Sequence, residues 1–302
     1  MKAAVIERYG APEVFSYRDM PEPVAGDGEV VVRIAAAGVN PVDGLDRAGG
    51  TKDWRPLAFP AIIGWDVSGV VESIGAGVAD VAPGDRVMAW AFATYAEKVA
   101  LKADLLARVP EGIDLVEAAA LPLGAMTGTQ LVLVGANVAA GQTVLVSGAV
   151  GTVGRAAVFA AKDRGARVIA AVRGSQVAEA GWLGADEVVA LDDEAALTAI
   201  GTVDVVANTV RGPVADRLLE LVGEGGTFAS VTGASGGADR RPDVRVVAFV
   251  SKQDAANLAY VAEGVRSGRL TVPIDCRLPL ERAREAHERL AKPGAGKILL
   301  VP

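Results

Sequence analysis

Directly after the apolar run Val144–Val146 the sequence reads SGAVGTVG over residues 147–154, and an Ala-rich stretch follows. In a G-x-G-x-x-G frame the three positions are Ala149, Gly151 and Gly154, with Gly148 one residue earlier, so the first glycine is replaced by alanine. Glycines at such a strand-to-helix turn allow a tight bend, bring bare backbone N–H groups to a pyrophosphate and let helix and strand approach closely. A helix expected from about Thr152 to Asp163 would point its partial positive end at the same anion. Gly148, Ala149, Gly151, Thr152 and Val153 are therefore the candidate phosphate cradle. A glycine turn that only packs a helix on a strand is the alternative; the strand before the loop and the helix and strand after it favour a ligand.

The next strand, RVIAAV, ends in Val172 and Arg173, where a chain selecting NAD would carry the Asp or Glu that accepts the ribose hydroxyls. A guanidinium pairs with a 2′-phosphate that a carboxylate would repel, so NADP(H) is the expected cofactor, unless Arg173 merely solvates a loop. Ser175 is placed either to help hold that phosphate or to cap a helix. The chain has one cysteine and one histidine, Cys276 and His287, too few for a tetrahedral structural zinc. His287 lies in the charged amphipathic run ERAREAHERL and reads as a surface packing residue; Cys276 reads as a small hydrophobe in a short strand. No metal site is expected.

These residues need elements to hold them. The 302 residues allow about two domains, and the excess of Ala, Val and Gly with few aromatics is that of strands alternating with Ala-rich helices. A net charge of −7 without a basic aromatic face argues against a nucleic-acid partner. Charges early in MKAAVIERYG, together with the lone cysteine, suggest a cytoplasmic protein. No charge occurs from Ala118 to Gly154, but Pro122, Gln130, Asn137 and Gln142 divide that stretch, so a buried helix followed by a buried strand is expected rather than a membrane span. Six β-branched runs follow at 144–146, 167–172, 187–191, 203–208, 227–231 and 244–250. Such uniformly apolar strands separated by helices predict a doubly wound parallel sheet covered on both faces. The first hundred residues, with EVVVRIAAAGV, DVSGVVESIGAGV and GDRVMAW broken by Gly and Pro, predict an irregular antiparallel unit. A helix near 253–267, a strand near 272–276, a helix at 281–292 and a strand at 297–301 close the chain. The division expected is 1–123 completed by 266–302, with 124–265 as the nucleotide-binding domain.

The stretches GVNPVDGLDRAG (38–49), FPAIIGWDVSGVVESIGAGV (59–78), PGDRV (83–87), YAEKVAL (95–101), ALPLGAMTGTQLV (120–132), GAVGTVG (148–154), LGADEVV (183–189) and GKILLV (296–301) together resemble the zinc-independent, zeta-crystallin-like quinone oxidoreductase branch of the medium-chain dehydrogenase/reductase superfamily. The resemblance covers essentially the whole chain. It implies an α/β fold, a GroES-like β-rich catalytic domain plus a Rossmann six-stranded sheet, with NADPH and substrate in the cleft between them. Zinc-dependent relatives carry a catalytic cysteine in the first motif and Gly-His-Glu in the second; here Asn40 and Pro41 fall near the first, and Gly64, Trp65 and Asp66 replace the second. By match to the Val-Asn-Pro-Val-Asp motif, Asn40 is the candidate catalytic side chain, donating its amide to a substrate carbonyl or holding the nicotinamide; a turn role before Pro41 stands beside it. Asp43 is read as a structural hydrogen-bonding residue. Thr127 matches the threonine that faces the nicotinamide, and Phe249 lies where the family's backbone meets the carboxamide. Val231 and Thr232 end the fifth strand of the sheet, beside the ligand crevice of such folds. Trp54 and Trp65 either line an acceptor pocket or fill the core.

The implied function is hydride transfer from NADPH to quinones or α,β-unsaturated carbonyl compounds, by a homodimer whose apolar edge run VRVVAFV invites pairing. Alternatives are a reductase of enoyl thioesters or simple carbonyls, and an NADPH-binding redox sensor without useful turnover.

Overall fold

A computed structural model describes residues 1–233, 236–290 and 296–302. The chain divides into two compact units, Met1–Gly124 with Gln253–Arg266 and Val272–Pro302, and Ala125–Lys252 with Ser267–Thr271. Unit 1 begins with strands β1 (Lys2–Ile6), β2 (Phe15–Asp19) and β3 (Glu29–Val39), helix α1 (Pro41–Ala48), and strands β4 (Ala61–Ile62), β5 (Asp66–Ile74), β6 (Arg86–Trp90), β7 (Lys98–Lys102) and β8 (Ala107–Arg108). Helix α2 (Pro122–Gln130) continues into a π-helical turn, Leu131–Ala136, that ends at Asn137 in the left-handed region. Unit 2 holds β9 (Thr143–Ser147), α3 (Thr152–Asp163), β10 (Arg167–Val172), α4 (Val177–Ala180), β11 (Glu187–Ala190), α5 (Glu194–Ala199), β12 (Val203–Asn208), α6 (Pro213–Glu220), β13 (Val222–Ser230) and β14 (Arg245–Ala248). The chain then returns to unit 1 through α7 (Ala255–Arg266), β15 (Ile274–Pro279), α8 (Ala283–Leu290) and β16 (Lys297–Val301).

The six strands of unit 2 pair in parallel in the order β11-β10-β9-β12-β13-β14, the doubly wound arrangement expected. Their apolar runs have a direct cause. Along β9, Val144 and Val146 enter one buried layer while Leu145 enters the other, so neither face of the sheet meets water. The uncharged stretch 118–154 is the buried start of α2, the wide turn and β9.

In unit 1 a seven-stranded sheet runs β15-β16-β3-β5-β6-β8, with β7 also on β3, and a smaller sheet runs β2-β1-β4. Strand β16 pairs antiparallel with β3 through Ile298 and Val39, so a strand from the far side of unit 2 in sequence completes the sheet that launches α1. Gly38, just before α1, has no room for a side chain: a Cβ would lie 2.3 Å from the Ala119 carbonyl and 2.9 Å from Asp66 Oδ2.

The sequence-based boundaries shift in several places. Helix α7 groups with unit 1, where the sequence division assigned 253–265 to the nucleotide-binding domain. Strand β13 starts at Val222, five residues before the β-branched run, because Gly223, Glu224, Gly225 and Gly226 join it without an apolar signal. Val231 and Thr232 directly follow β13, and Phe249 directly follows β14, rather than lying within those strands. Residues 291 and 292 of the expected last helix lie outside the described residues.

Candidate functional site

The glycine turn after β9 is built for close backbone approach. Gly148 has φ +61° and its missing Cβ would meet Thr209 Oγ1 at 2.4 Å, while a Cβ on Gly154 would lie 2.2 Å from the Gly148 carbonyl, which is what brings α3 onto the strand. Gly151 is the N-cap of α3 and supplies no side-chain acceptor, so the first-turn N–H groups at Thr152, Val153 and Gly154 have neither an intrahelical partner nor a side-chain cap. A Cβ at Gly151 would meet only the Gly148 carbonyl, at 3.4 Å. Ala149, in the first-glycine position, is fully buried in the core and donates its N–H to the Ala171 carbonyl at 3.4 Å, so its methyl points away from the cradle. The geometry fits a diphosphate held by Gly151, Thr152 and Val153.

Beside this turn the carboxyl ends of β9, β12 and β13 carry a polar ladder that the strand reading passed over. Ser147 Oγ donates to Asn208 Oδ1 at 2.8 Å, Asn208 Nδ2 donates to Ser230 Oγ at 3.0 Å, and Ser230 and Thr232 hydroxyls lie 3.1 Å apart. Thr209 closes it, donating its N–H to Ser147 Oγ and its hydroxyl to the Ser147 carbonyl. The signal was a single polar residue ending each apolar run, VLVS, VVAN and FAS. Elsewhere in unit 2, Thr127 Oγ1 shares a hydrogen bond with Ser251 Oγ at 2.8 Å, fixing the side chain expected to face a nicotinamide. The Phe249 ring packs on Gly135, where a Cβ would come within 2.8 Å, and its N–H donates to the Ser230 carbonyl at 2.8 Å.

Arg173 follows β10 on the surface; its Nε donates to Gln176 Oε1 at 3.3 Å, and its two terminal nitrogens have no hydrogen-bond partner among the described residues. Ser175 is exposed inside a short 3-10 turn, and α4 starts at an uncapped Gln176, so the helix-capping role is not the one it plays. A carboxylate also reaches this corner. Asp192, after β11, accepts the Gly174 N–H at 2.7 Å, because Val172 and Ala190 are register partners and the two loops leave side by side.

In unit 1 the Asn40 motif forms a buried polar network. Asn40 is the N-cap of α1, and its backbone N–H donates to Asp43 Oδ2 at 2.7 Å. Its side chain is turned inward: Nδ2 donates to Asp66 Oδ2 at 2.8 Å and Oδ1 accepts from Lys297 Nζ at 2.5 Å. Lys297 also pairs with Asp66 Oδ2 at 2.9 Å, and Asp66 Oδ1 accepts the Leu123 N–H at 2.7 Å, holding the start of α2. At 3% exposure, the Asn40 amide bridges the Asp66–Lys297 ion pair. A lysine 257 residues away is what turned it inward, and no local motif announces that.

Asp43 is structural, as expected: Oδ2 also accepts the Tyr95 hydroxyl at 2.8 Å, while Oδ1 has no hydrogen-bond partner among the described residues. Burial pushes the Asp43 carboxyl up to about 8, against the pull of the Asn40 N–H and the Tyr95 hydroxyl. Burial and the neighbouring carboxylates hold Tyr95 well above its ordinary value, so it remains a donor. His287 is not on the surface. It is buried, with Arg47 Nη1 3.0 Å from Nδ1 and the Tyr95 hydroxyl 3.3 Å from Nε2. Since arginine only donates, Nδ1 accepts and the proton sits on Nε2. Burial, then the Arg47 charge, push His287 down to about 3, so it is neutral.

Trp65, which stands where zinc-dependent relatives carry histidine, donates its indole N–H to the buried Asp46 carboxylate at 2.6 Å. Asp46 also accepts Thr51 Oγ1 at 2.6 Å and Arg55 Nη1 at 2.5 Å. These residues do not fit a zinc ion: an indole offers no lone pair, the Asp66 carboxylate already holds an ammonium, and no group of three His, Cys, Asp or Glu among the described residues could hold a metal.

The family description "Zinc-binding dehydrogenase" matches residues 183–300, and "Alcohol dehydrogenase GroES-like domain" matches residues 26–111. The chain is 30% identical to the quinone oxidoreductase of Sus scrofa, over 100% of this chain and 98% of that protein. It is also 30% identical to the chloroplastic NADPH-dependent alkenal/one oxidoreductase of Arabidopsis thaliana, over 100% of this chain and 80% of that protein. A solved NAD-dependent alcohol dehydrogenase superimposes with a TM-score of 0.88 at 29% identity, covering 100% of both chains. A mycobacterial protein solved as a complex with NADPH does so with a TM-score of 0.85 at 28% identity, again covering 100% of both.

Proposed function

The chain belongs to the quinone oxidoreductase group of the medium-chain dehydrogenase/reductase superfamily, and we propose that it is a metal-free reductase that uses NADPH to reduce quinones or α,β-unsaturated carbonyl compounds. Bound NADPH supplies a hydride; a proton from water completes the hydroquinone or the saturated carbonyl. The observation that carries the reading is the uncapped start of α3 behind a glycine turn at the carboxyl end of β9. In this reading Gly151, Thr152 and Val153 bind the diphosphate, and Arg173 with Ser175 receives the 2′-phosphate. Thr127, Val231, Thr232 and Phe249 border the nicotinamide end, and the Ser147–Asn208–Ser230 ladder fixes the strand ends that present them.

Asn40 is a positioning residue here. By joining Asp66 and Lys297 it fixes the turn between β3 and α1 and the start of α2. Metal-free chemistry is supported by residues that cannot ligate zinc, with His287 held between Arg47 and Tyr95. The exposed edge of the six-stranded sheet at β14 supports a homodimer. No helix among the described residues is long and apolar enough to cross a membrane.

NADPH oxidation, followed by its absorbance with a simple quinone and a linear enone, tests the reading. Turnover with either is expected, at least tenfold faster than with an enoyl thioester. A thioester preference would favour the second acceptor class, and binding of NADPH without turnover on any acceptor would favour the redox-sensor alternative.

A further inference from the structure

Helix α3 carries a guanidinium on a side whose other buried positions are Gly, Ala, Val and Phe. Arg155 directly follows the glycine turn and is 6% exposed. Its Nε donates to the Val150 carbonyl at 2.8 Å and its Nη1 to Thr271 Oγ1 at 3.2 Å, while Nη2 pairs with Glu179 of α4. All of these residues belong to unit 2. One planar fork thus joins the loop before α3 to the helix that directly follows the Arg173–Gln176 turn.

Two features set Arg155 apart from core filling. Burying a guanidinium costs desolvation, and its carboxylate partner keeps 38% of its side chain in water, so the pair adds little stability that an apolar side chain would not add as well. What the fork holds is also a segment with little stiffness of its own. Glycines at 148 and 151 flank Ala149 and Val150, and a peptide in such a loop turns over at small steric cost. A carbonyl swung toward the mouth of α3 would repel an anion there. Arg155 keeps the Val150 carbonyl on the guanidinium while the Gly151 N–H donates to the Gly148 carbonyl at 3.0 Å, so the Val150–Gly151 peptide is fixed at both ends.

We propose that Arg155 is a positioning residue that couples the two phosphate contacts of the NADPH reading above, on which the inference rests. Through Val150 it sets the loop that receives the diphosphate; through Glu179 it sets α4, and so the turn that carries Arg173 and Ser175 to the 2′-phosphate. All three guanidinium nitrogens are engaged within the protein, so Arg155 acts through these partners. Order imposed by a phosphate at one end of the fork is passed to the other end. The 2′-phosphate therefore adds more affinity when the fork is intact, and Arg155 deepens the preference for NADPH over NADH.

Equilibrium dialysis of NADPH and of NADH against the full-length protein measures binding apart from turnover. Arg155→Met keeps an apolar stem and removes the fork; Glu179→Ala, at a side chain partly in water, cuts only the tie to α4. Arg155→Met should weaken NADPH about tenfold and NADH about threefold, and Glu179→Ala should weaken NADPH about threefold and leave NADH within about twofold. A double-mutant cycle decides the coupling. The loss of NADPH affinity on Arg173→Ala should be at least about threefold smaller in the Arg155→Met background than in the wild type, which a merely structural role would not give. Should Arg155→Met not fold, Glu179→Ala with Arg173→Ala closes the same cycle. Equal losses for NADPH and NADH in both variants, or additive losses in the cycle, would overturn the coupling and leave the cofactor reading standing. A wild type that binds neither dinucleotide, or binds both with Arg173→Ala without effect, would overturn the phosphate reading itself and the coupling with it. NADPH binding with a non-additive cycle, but without turnover on any acceptor, would support the coupling and overturn the reductase reading.

Discussion

Arg173 and Asp192 bring opposite charges to one corner, and in the proposed reading cofactor choice turns on their balance. A guanidinium pairs with a 2′-phosphate, whereas the carboxylate on the Gly174 N–H would repel one. Arg173→Asp should lower kcat/KM for NADPH by about tenfold or more while changing that for NADH by less than about threefold. Asp192→Asn keeps the acceptor for the Gly174 N–H and removes the charge, so the ratio of NADPH to NADH efficiency should rise several-fold. Steady-state kinetics with both cofactors check the pair; equal losses for NADPH and NADH in Arg173→Asp would rule out phosphate pairing. Arg173 was legible because it stands directly after an apolar strand. Asp192 was not, since only the parallel register of β10 and β11 brings it there.

At the scale of the element, the glycines of the β9–α3 turn serve two separable purposes. A methyl at Gly154 would collide with the Gly148 backbone carbonyl, so Gly154→Ala should destabilise the protein by about 1–3 kcal/mol in denaturant unfolding. At Gly151 the added methyl meets almost nothing, so Gly151→Ala should lose clearly less stability than Gly154→Ala, only that of a poorer N-cap, and raise the KM for NADPH roughly tenfold by keeping the diphosphate off the backbone. Loss of stability in both variants alike would mean that the turn is only a packing device. The strands and helix here were readable almost to the residue, because an apolar run shut in on both faces and a helix opened by glycine leave strong local patterns. Tertiary pairing wrote the rest. Neither the inward turn of Asn40 nor the burial of His287 follows from its neighbours in sequence; one depends on Lys297, the other on Arg47 and Tyr95. In the run ERAREAHERL three positions, Ala283, Ala286 and His287, are buried; the surface reading of the histidine arose because charged residues flank it on both sides in sequence.

For the whole molecule, Asp43 and His287 tilt stability with pH in opposite directions. Asp43 rises from an ordinary 3.8 to about 8 on folding, so its contribution is full below 3.8 and is lost as pH climbs toward 8. His287 falls from 6.5 to about 3, so its contribution is full above 6.5 and is lost as pH drops toward 3. Between 3.8 and 6.5 the two slopes oppose each other, and the thermal midpoint should be nearly flat there, falling on either side. Carboxylates held down by partners, such as Asp19 by Lys2 and Asp186 by Lys162, steepen the acid side. Asp43→Asn mimics the protonated carboxyl and should abolish the decline from 6.5 to 8 in calorimetry across that range, leaving the acid limb in place; a decline that persists in this variant would assign it to other groups.

The bond between Lys297 and Asp66 spans 231 residues, with all of the parallel sheet in between. During synthesis a ribosome therefore releases Asp66 long before its counter-charge exists, and the carboxylate must stay hydrated until the last strand is delivered. The early β segments therefore lack this ion pair until β16 is made.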